Sequence, residues 1–280
     1  MKFGSFSVVT GTEACNAKCP YCVSRMTPKQ KLGPINWRNF NIACKRAVRS
    51  DIDTVLLTGK GEPVLYPDHI TNYLFNLEKH NFPFIELQTN GILLQEREMK
   101  SHLKTWYQMG LTTISISVAH YNTEQNRAII GSNFDPIGLA SLLQNMGFLV
   151  RFSCVMMKGG IDSTESVKNF IRILSTLDKQ VQLTLRPVTN AVDTSNTEIS
   201  RWIQNNQPQN LGKIKTMLDV EGHRLLLLPH GGIVYDYEGQ NICLTNCLTE
   251  DLNPDNIRQL IYYPSGRLTY DWQYKGAILL

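Results

Sequence analysis

The sequence predicts an α/β chain: a partial (β/α)6 barrel followed by a small C-terminal α+β cap of hairpins. Three observations carry this. Strand-like and helix-like stretches alternate with a period of roughly 30 residues, the size of one β-α unit. Six strand candidates are complete by about residue 190 of 280, too few for a closed eight-fold barrel of ~250 residues. Beyond that point the texture changes to polar loop and then to hairpin-like runs.

The strand candidates are FSVVTGT (6–12), TVLLTG (54–59), FIELQTNG (84–91), TTISISV (112–118), FLVRFSCVMM (148–157) and VQLTLRPVT (181–189). Each is rich in β-branched, aliphatic or aromatic residues. Four of the six read as near-continuous apolar runs, as in parallel strands covered on both faces. Between them lie helix candidates. Residues 36–50 begin at the N-cap residue Asn36. Residues 93–110 and 136–147 end at Gly110 and Gly147, good residues for leaving a helix. In 163–177, Val167, Phe170, Ile171 and Leu174 share one helical face. After these comes a polar stretch (TSNTEISRWIQNNQPQN) expected to be loop with a short helix. Two hairpins follow, RLLLLPHGGIVYDYEGQNICL and IRQLIYYPSGRLTYDW, the second turning at Pro264-Ser265-Gly266. Residues 1–194 are assigned to the barrel and 195–280 to the cap. Ligands of such folds gather at the C-terminal ends of the strands.

Composition narrows the function. Apolar residues at 42% and charged residues at 19% exclude a mainly disordered chain. No apolar run approaches the ~18 residues that cross a bilayer. The opening MKFGSFSVVTGTE lacks a secretory pattern, so the cytoplasm is expected. The net charge of +4 comes without a dense Lys/Arg run and does not argue for nucleic acid.

Seven cysteines, an odd count, make a poor disulfide framework. Three of them, Cys15, Cys19 and Cys22, follow the first strand as C-x3-C-x2-C in TEACNAKCPYCVSRM. Three thiolates leave a four-coordinate zinc site short of a ligand. They suit a [4Fe-4S] cluster with one iron free of protein. A zinc knuckle completed by Cys44 or a histidine is the alternative. No G-x-S-x-G, H-E-x-x-H or Walker motif occurs among the 280 residues.

This triplet, with the aromatic Tyr21 before its last cysteine and its place after strand one, resembles the radical S-adenosylmethionine (radical SAM) superfamily. The texture is MoaA-like, or that of a small peptide maturase with a reduced C-terminal extension. The resemblance implies one [4Fe-4S] cluster held by Cys15, Cys19 and Cys22, and S-adenosylmethionine (SAM) as cosubstrate. TGKGEP (58–63) resembles the family's Gly-Gly-Glu-Pro motif, with Gly61, Glu62 and Pro63 matching and Lys60 in the first glycine's place. That motif implies a seat for the SAM amine, with Glu62 as one acceptor. Lys60 could instead face an anionic substrate. The turn TNG (89–91) is a further match at the third strand end. Ser117, Ser153 and Arg186 stand on strands four, five and six, where relatives contact SAM or substrate. His120, just past the fourth strand, is the histidine placed nearest the barrel mouth; its alternative is a solvated loop position. The family chemistry is reductive cleavage of SAM to a 5′-deoxyadenosyl radical that abstracts a substrate hydrogen.

Cys44 and Cys154 read as core residues. Cys243 and Cys247 could ligate a second cluster or act as thiols on a radical. The cap is expected to carry no second cluster. For substrate, the resemblance implies a ribosomally made precursor peptide modified at a side chain or backbone carbon. A separate small leader-binding protein and a flavodoxin- or ferredoxin-type electron donor are expected partners; a membrane is not. The alternative is a nucleotide, nucleoside or tRNA substrate. The GTP cyclase of molybdopterin synthesis itself is not expected, because the chain ends in KGAILL without a double glycine. A non-catalytic metal module is the remote third reading.

Overall fold

The computed structural model describes residues 2–29, 33–178, 180–191, 197–246, 253 and 255–280. The barrel portion runs β1 (Lys2–Val9), α1 (Trp37–Arg49), β2 (Thr54–Thr58), α2 (Pro67–Leu77), β3 (Phe84–Thr89), α3 (Met99–Gln108) and β4 (Thr113–Val118). It continues with α4 (Thr123–Ile130), α5 (Pro136–Asn145), β5 (Leu149–Met156), α6 (Thr164–Leu174) and β6 (Gln182–Pro187). Then come α7 (Thr197–Asn205), α8 (Leu211–Glu221), β7 (His223–Leu227), β8 (Ile233–Tyr237), β9 (Gln240–Leu244), β10 (Asn256–Tyr262) and β11 (Leu268–Thr269).

Strands β1 to β6 pair in sequence order and all in parallel. The C-terminal strands extend this sheet at both edges: β9 adds in parallel beside β6, and β10 in parallel beside β1. Antiparallel partners complete each side, β7-β8-β9 and β10-β11. Among the described residues the result is one 11-stranded sheet with β11 and β7 as unjoined ends, so the barrel is open. Helix and strand residues from both stretches of the chain share one hydrophobic core.

The local chemistry explains the elements. Asn36 caps α1 as expected, its side chain accepting from the Asn39 N–H at 3.0 Å. Ser163 and Ser166 form a reciprocal capping box on α6. Gly110 and Gly147 leave α3 and α5 with φ of 90° and 99°. Helix α3 is shorter than 93–110, because Ile92–Gln95 forms a separate 3-10 turn. Helices α2 and α4 stand where no helix was expected, and two helices, α7 and α8, occupy the stretch after 195 where one short helix was expected. The first hairpin is a three-stranded meander, since EGQNICL continues as β9 after Glu238 and Gly239 turn at positive φ. The second is present, with the Gly266 N–H donating to the Tyr263 carbonyl at 2.8 Å.

One expectation about the strands is corrected. They are not apolar on both faces. Val55 and Leu57, Ile85 and Leu87, Val150 and Phe152, and Leu183 and Leu185 are buried in the core. Their alternates Glu86, Gln88, Arg151, Ser153, Gln182 and Thr184 line a cavity of about 910 Å³ on the sheet's other face. Period-two alternation puts consecutive side chains on opposite faces. Each large apolar side chain buried on the helix-covered face stabilises by about 1.5–3 kcal/mol. The inner face is free to carry polar chemistry. Among the described residues no helix is long and apolar enough to cross a membrane.

Candidate active site

The cysteine loop leaves β1 at Thr10–Thr12, three residues earlier than expected, because Gly11 turns the chain at φ 76°. A side chain there is doubly disfavoured, since its Cβ would lie 2.2 Å from the Tyr66 ring. The Tyr66 hydroxyl bonds Thr12. The loop then carries Cys15 (exposed) and the half-buried Cys19 and Cys22, and closes in a 3-10 turn at Val23–Arg25.

Three neighbouring segments brace this loop. The first is the turn after β2. The Glu62 N–H donates to the Ala14 carbonyl at 2.9 Å. A Cβ on Gly61 would sit 2.0 Å from that same carbonyl oxygen, so only glycine lets the two backbones approach this closely. The second is the turn after β3. Asn90 Nδ2 donates to Asn16 Oδ1 at 2.7 Å and points a weaker contact at Cys15 Sγ, 3.7 Å away. The third is the end of α4, where the Ile130 carbonyl accepts from Lys18 N–H at 2.7 Å and Ser132 Oγ donates to the Asn16 carbonyl at 2.9 Å.

Glu62 is the hinge pin of this arrangement. It is buried, and its carboxylate accepts from Val64 N–H (2.9 Å), Thr89 Oγ1 (2.6 Å) and Asn90 N–H (2.8 Å). It thereby fastens the β2 turn to the TNG turn. Burial raises its pKa against the pull of those three bonds. The sequence made Glu62 an acceptor for the SAM amine; the structure gives both its oxygens to the protein. Pro63 is buried as the first residue of a 3-10 turn that Glu62 caps. Thr58 and Gly59, not Gly61, Glu62 or Pro63, face the cavity. Lys60 does not face it either. Its ammonium bonds Thr27 Oγ1, just past the turn that closes the cysteine loop, and burial lowers its pKa to about 8.

The thiols are near enough for each other's charge to count. Burial, reinforced by Cys22 and Cys15, pushes Cys19 up to about 12. Burial also raises Cys15, with Glu62 and Cys22 adding to the rise. Among the described residues no three His, Cys, Asp or Glu side chains gather round a single-ion site. The set nevertheless suits a sulfur-ligated cluster. Three thiols share one loop, and Cys15 Sγ already has N–H donors in Ala17 (3.4 Å) and Asn90. Such donors are the hydrogen bonds that tune cluster sulfurs. Tyr21 packs on Trp202 of α7, ring centroids 6.0 Å apart, and its hydroxyl pKa is pushed well up by burial.

Ser117, Ser153 and Arg186 all line the cavity. The register makes the first two neighbours and extends them into a row, Ser117–Ser153–Thr184–Cys243, across β4, β5, β6 and β9. Thr184 and the cavity-facing Cys243 were missed as members of that row; the alternation of β6 and β9 was the available signal. Arg151 and Glu86, ion-paired in the cavity wall, were missed for the same reason. His120 is not a solvated loop residue. It is buried, its Nδ1 accepts from the Asn122 N–H at 3.0 Å, and burial lowers its pKa. Cys44 and Cys154 lie fully in the core. Cys247 lies outside the described residues.

A loop with three thiols at the C-terminal end of β1, above a cavity of mixed polar and apolar lining in an open, mostly parallel barrel, defines a cluster-dependent enzyme of the α/β class. Residues 9–174 match the family model of the radical SAM superfamily, and the chain belongs to that superfamily. Its enzymes use a [4Fe-4S] cluster and SAM. The GTP 3',8-cyclase of Aquifex aeolicus is 29% identical over 160 residues, 53% of this chain and 46% of that enzyme. The Shewanella denitrificans cyclase is 27% identical over 152 residues, 53% of this chain and 43% of its own length. The matches thus span less than half of these curated relatives. Among solved structures, SAM-bound SuiB of Streptococcus suis superposes with a TM-score of 0.62 at 14% identity, over 95% of this chain and 60% of SuiB. SuiB bound to its precursor peptide SuiA gives 0.63 at 14% identity, over 96% and 59%. A radical SAM methyltransferase from Sphaerobacter thermophilus gives 0.51 at 16% identity, over 71% and 62%. At these identities the likeness is one of fold.

Proposed function

We propose that this radical SAM enzyme modifies a ribosomally made precursor peptide. The carrying observation is the reach of the likeness. The sequence match to the cyclases covers 53% of the chain. The fold match to peptide-bound SuiB covers 96% and so takes in C-terminal strands, among them β9 and β10, that line the cavity. The part of the chain that would meet the substrate shares its fold with a peptide-binding enzyme, which supports the peptide reading.

Cys15, Cys19 and Cys22 would hold the cluster. Thr58 and Gly59 would face the SAM amine, with Gly61 and Glu62 setting their position from behind. Ser117 and Ser153 offer hydroxyls to the SAM carboxylate or ribose. When bound, the cluster and SAM supply a carbon-centred radical able to take a hydrogen atom from an unactivated C–H bond. The chain's own task is to place one substrate C–H bond in the cavity and to exclude competing donors. Val23, Leu56, Val155 and Trp272 add apolar wall to that end. Cys15 is exposed, which supports reduction by an external flavodoxin- or ferredoxin-type donor.

The cyclases' sequence identity favours a second reading, a nucleotide substrate. One experiment separates the two. Anaerobically reconstituted protein with SAM and dithionite is given a genome-neighbouring short peptide, or GTP, and products are read by mass spectrometry. A mass change confined to the peptide supports the proposal; conversion of GTP alone reverses it.

A further inference from the structure

The cavity wall carries more positive charge than it answers. Its described lining includes three guanidiniums, Arg151, Arg186 and Arg258, and one carboxylate, Glu86. Glu86 is committed: it pairs with Arg151 and also accepts from Gln88 Nε2 at 2.9 Å. Arg258 is engaged by a contact of its own. Arg186 has no hydrogen-bond or ion-pair partner among the described residues, and its Nε is buried without an acceptor. The Arg151 Nε is buried and unanswered too. A buried guanidinium N–H without an acceptor is costly, and a planar oxyanion fits the fork.

Position gives the charge a purpose. Arg186 stands at the C-terminal end of β6, one inward-facing place beyond Thr184 in the Ser117–Ser153–Thr184–Cys243 row. Cys243, in the same wall, lies within electrostatic reach of all three arginines. Arg151 is paired with Glu86, which leaves Arg186 as a guanidinium of this wall able to meet an incoming anion. On the peptide reading that anion is a carboxylate.

We infer that Arg186, backed by Arg151, seats a carboxylate of the substrate, presented as an acidic side chain beside the residue to be modified. The inference rests on the peptide reading above and sharpens it: the substrate carries Asp or Glu next to its reacting carbon. A half-buried guanidinium whose Nε–H lacks an acceptor favours the carboxylate over the neutral amide isostere, which gives up the charge-assisted bond.

The test uses the full chain, reconstituted without oxygen, and calorimetric titration with defined probes. These are acetyl-Ala-Glu-Ala-amide, its Gln counterpart, butyrate, inorganic phosphate and SAM. The Glu peptide should bind at least about tenfold more tightly than the Gln peptide. Arg186→Met should erase that preference and leave SAM affinity within about twofold, while Arg186→Lys should keep part of the preference and serve as the folding control. Equal binding of the two peptides overturns the seat and leaves the peptide reading standing. Arg186-dependent binding of butyrate with no binding of either peptide keeps the seat and removes the peptide reading. Loss of SAM affinity in Arg186→Met matching the loss for the Glu peptide assigns the arginine to the cofactor and overturns the inference. Arg186-dependent phosphate binding tighter than the Glu peptide overturns the carboxylate.

Discussion

The rim of the barrel and its wall are built on opposite plans. At the rim, the cysteine loop, the Gly61-Glu62 turn and the TNG turn are tied by backbone and side-chain bonds that leave Glu62 almost no freedom. In the wall, Ser117, Ser153, Thr184, Cys243 and Arg186 come from four strands, with Thr184 and Arg186 sharing β6, and register alone places them together. The rim is preorganised to hold a cofactor of fixed shape. The wall is a set of independent positions that can change one at a time, which suits a substrate-specific surface.

If that contrast is right, single changes at the rim should fail as a unit, and single changes in the wall should have separable effects. The largest loss is expected from Cys15→Ala, Cys19→Ala or Cys22→Ala, each of which should abolish 5′-deoxyadenosine formation with dithionite. Retained activity in any one variant breaks the ligand assignment. Gly61→Ala should come next. Its methyl group meets the Ala14 carbonyl at 2.0 Å, so the cysteine loop must move, and iron content and SAM cleavage should fall together. Normal iron content in this variant would mean the two loops are not coupled.

Glu62→Gln sharpens the comparison further. The amide can offer one acceptor, but it turns an NH2 group toward either Asn90 N–H or Thr89 and Val64. The expected cost is about 1–3 kcal/mol of stability, read as a lower melting temperature, with cluster occupancy falling in parallel. An unchanged melting temperature would remove Glu62 as the hinge pin.

These rim features were legible in the sequence because they are local. A triplet spaced C-x3-C-x2-C, a GEP turn and a TNG turn each announce themselves within eight residues or fewer, and each sits after a strand that the pattern had located. What could not be read was Glu62's task, since its partners Thr89 and Asn90 are 27 and 28 residues away. Lys60 misled for a similar reason: its partner Thr27 is 33 residues distant, and nothing nearby signals that it turns inward. The wall was legible only in part. TISISV and FLVRFSCVMM alternate polar with apolar, yet their richness in large residues made them read as covered on both sides. Helix α2 was missed although Ile70, Tyr73, Leu74 and Leu77 have helical spacing and are all buried. The placing of β9 beside β6 and β10 beside β1, on opposite sides of the six barrel strands, is a long-range pairing that no local pattern encodes.

A pH effect of intermediate size should follow from the thiols. Burial raises Cys19 from 9.0 to about 12, and burial raises Cys44 and Cys154 as well. The folded apo chain therefore holds these protons where the unfolded chain loses them. Stability is fully present below pH 9 and should fall as pH rises from 9 toward 12, by about 1.4 kcal/mol per pH unit for each thiol involved. Melting temperatures of the apo protein across that range check this, and a flat profile would contradict it. Cluster ligation needs the thiolates, so loading should release protons and strengthen as pH rises over the same side of neutrality.

The smallest effect belongs to the wall. Ser153→Ala should leave the cluster intact and weaken SAM binding by about 1 kcal/mol, roughly fivefold. Loss of iron in this variant would show that wall and rim are one structure after all.

The most direct test of the account is a single preparation of the wild-type chain, purified and reconstituted without oxygen, assayed for bound metal and for SAM cleavage. Iron and sulfide near about four each per chain, with 5′-deoxyadenosine formed under dithionite, is the expected result. Zinc in their place, or a full iron–sulfur complement that leaves SAM intact under that reductant, would contradict it.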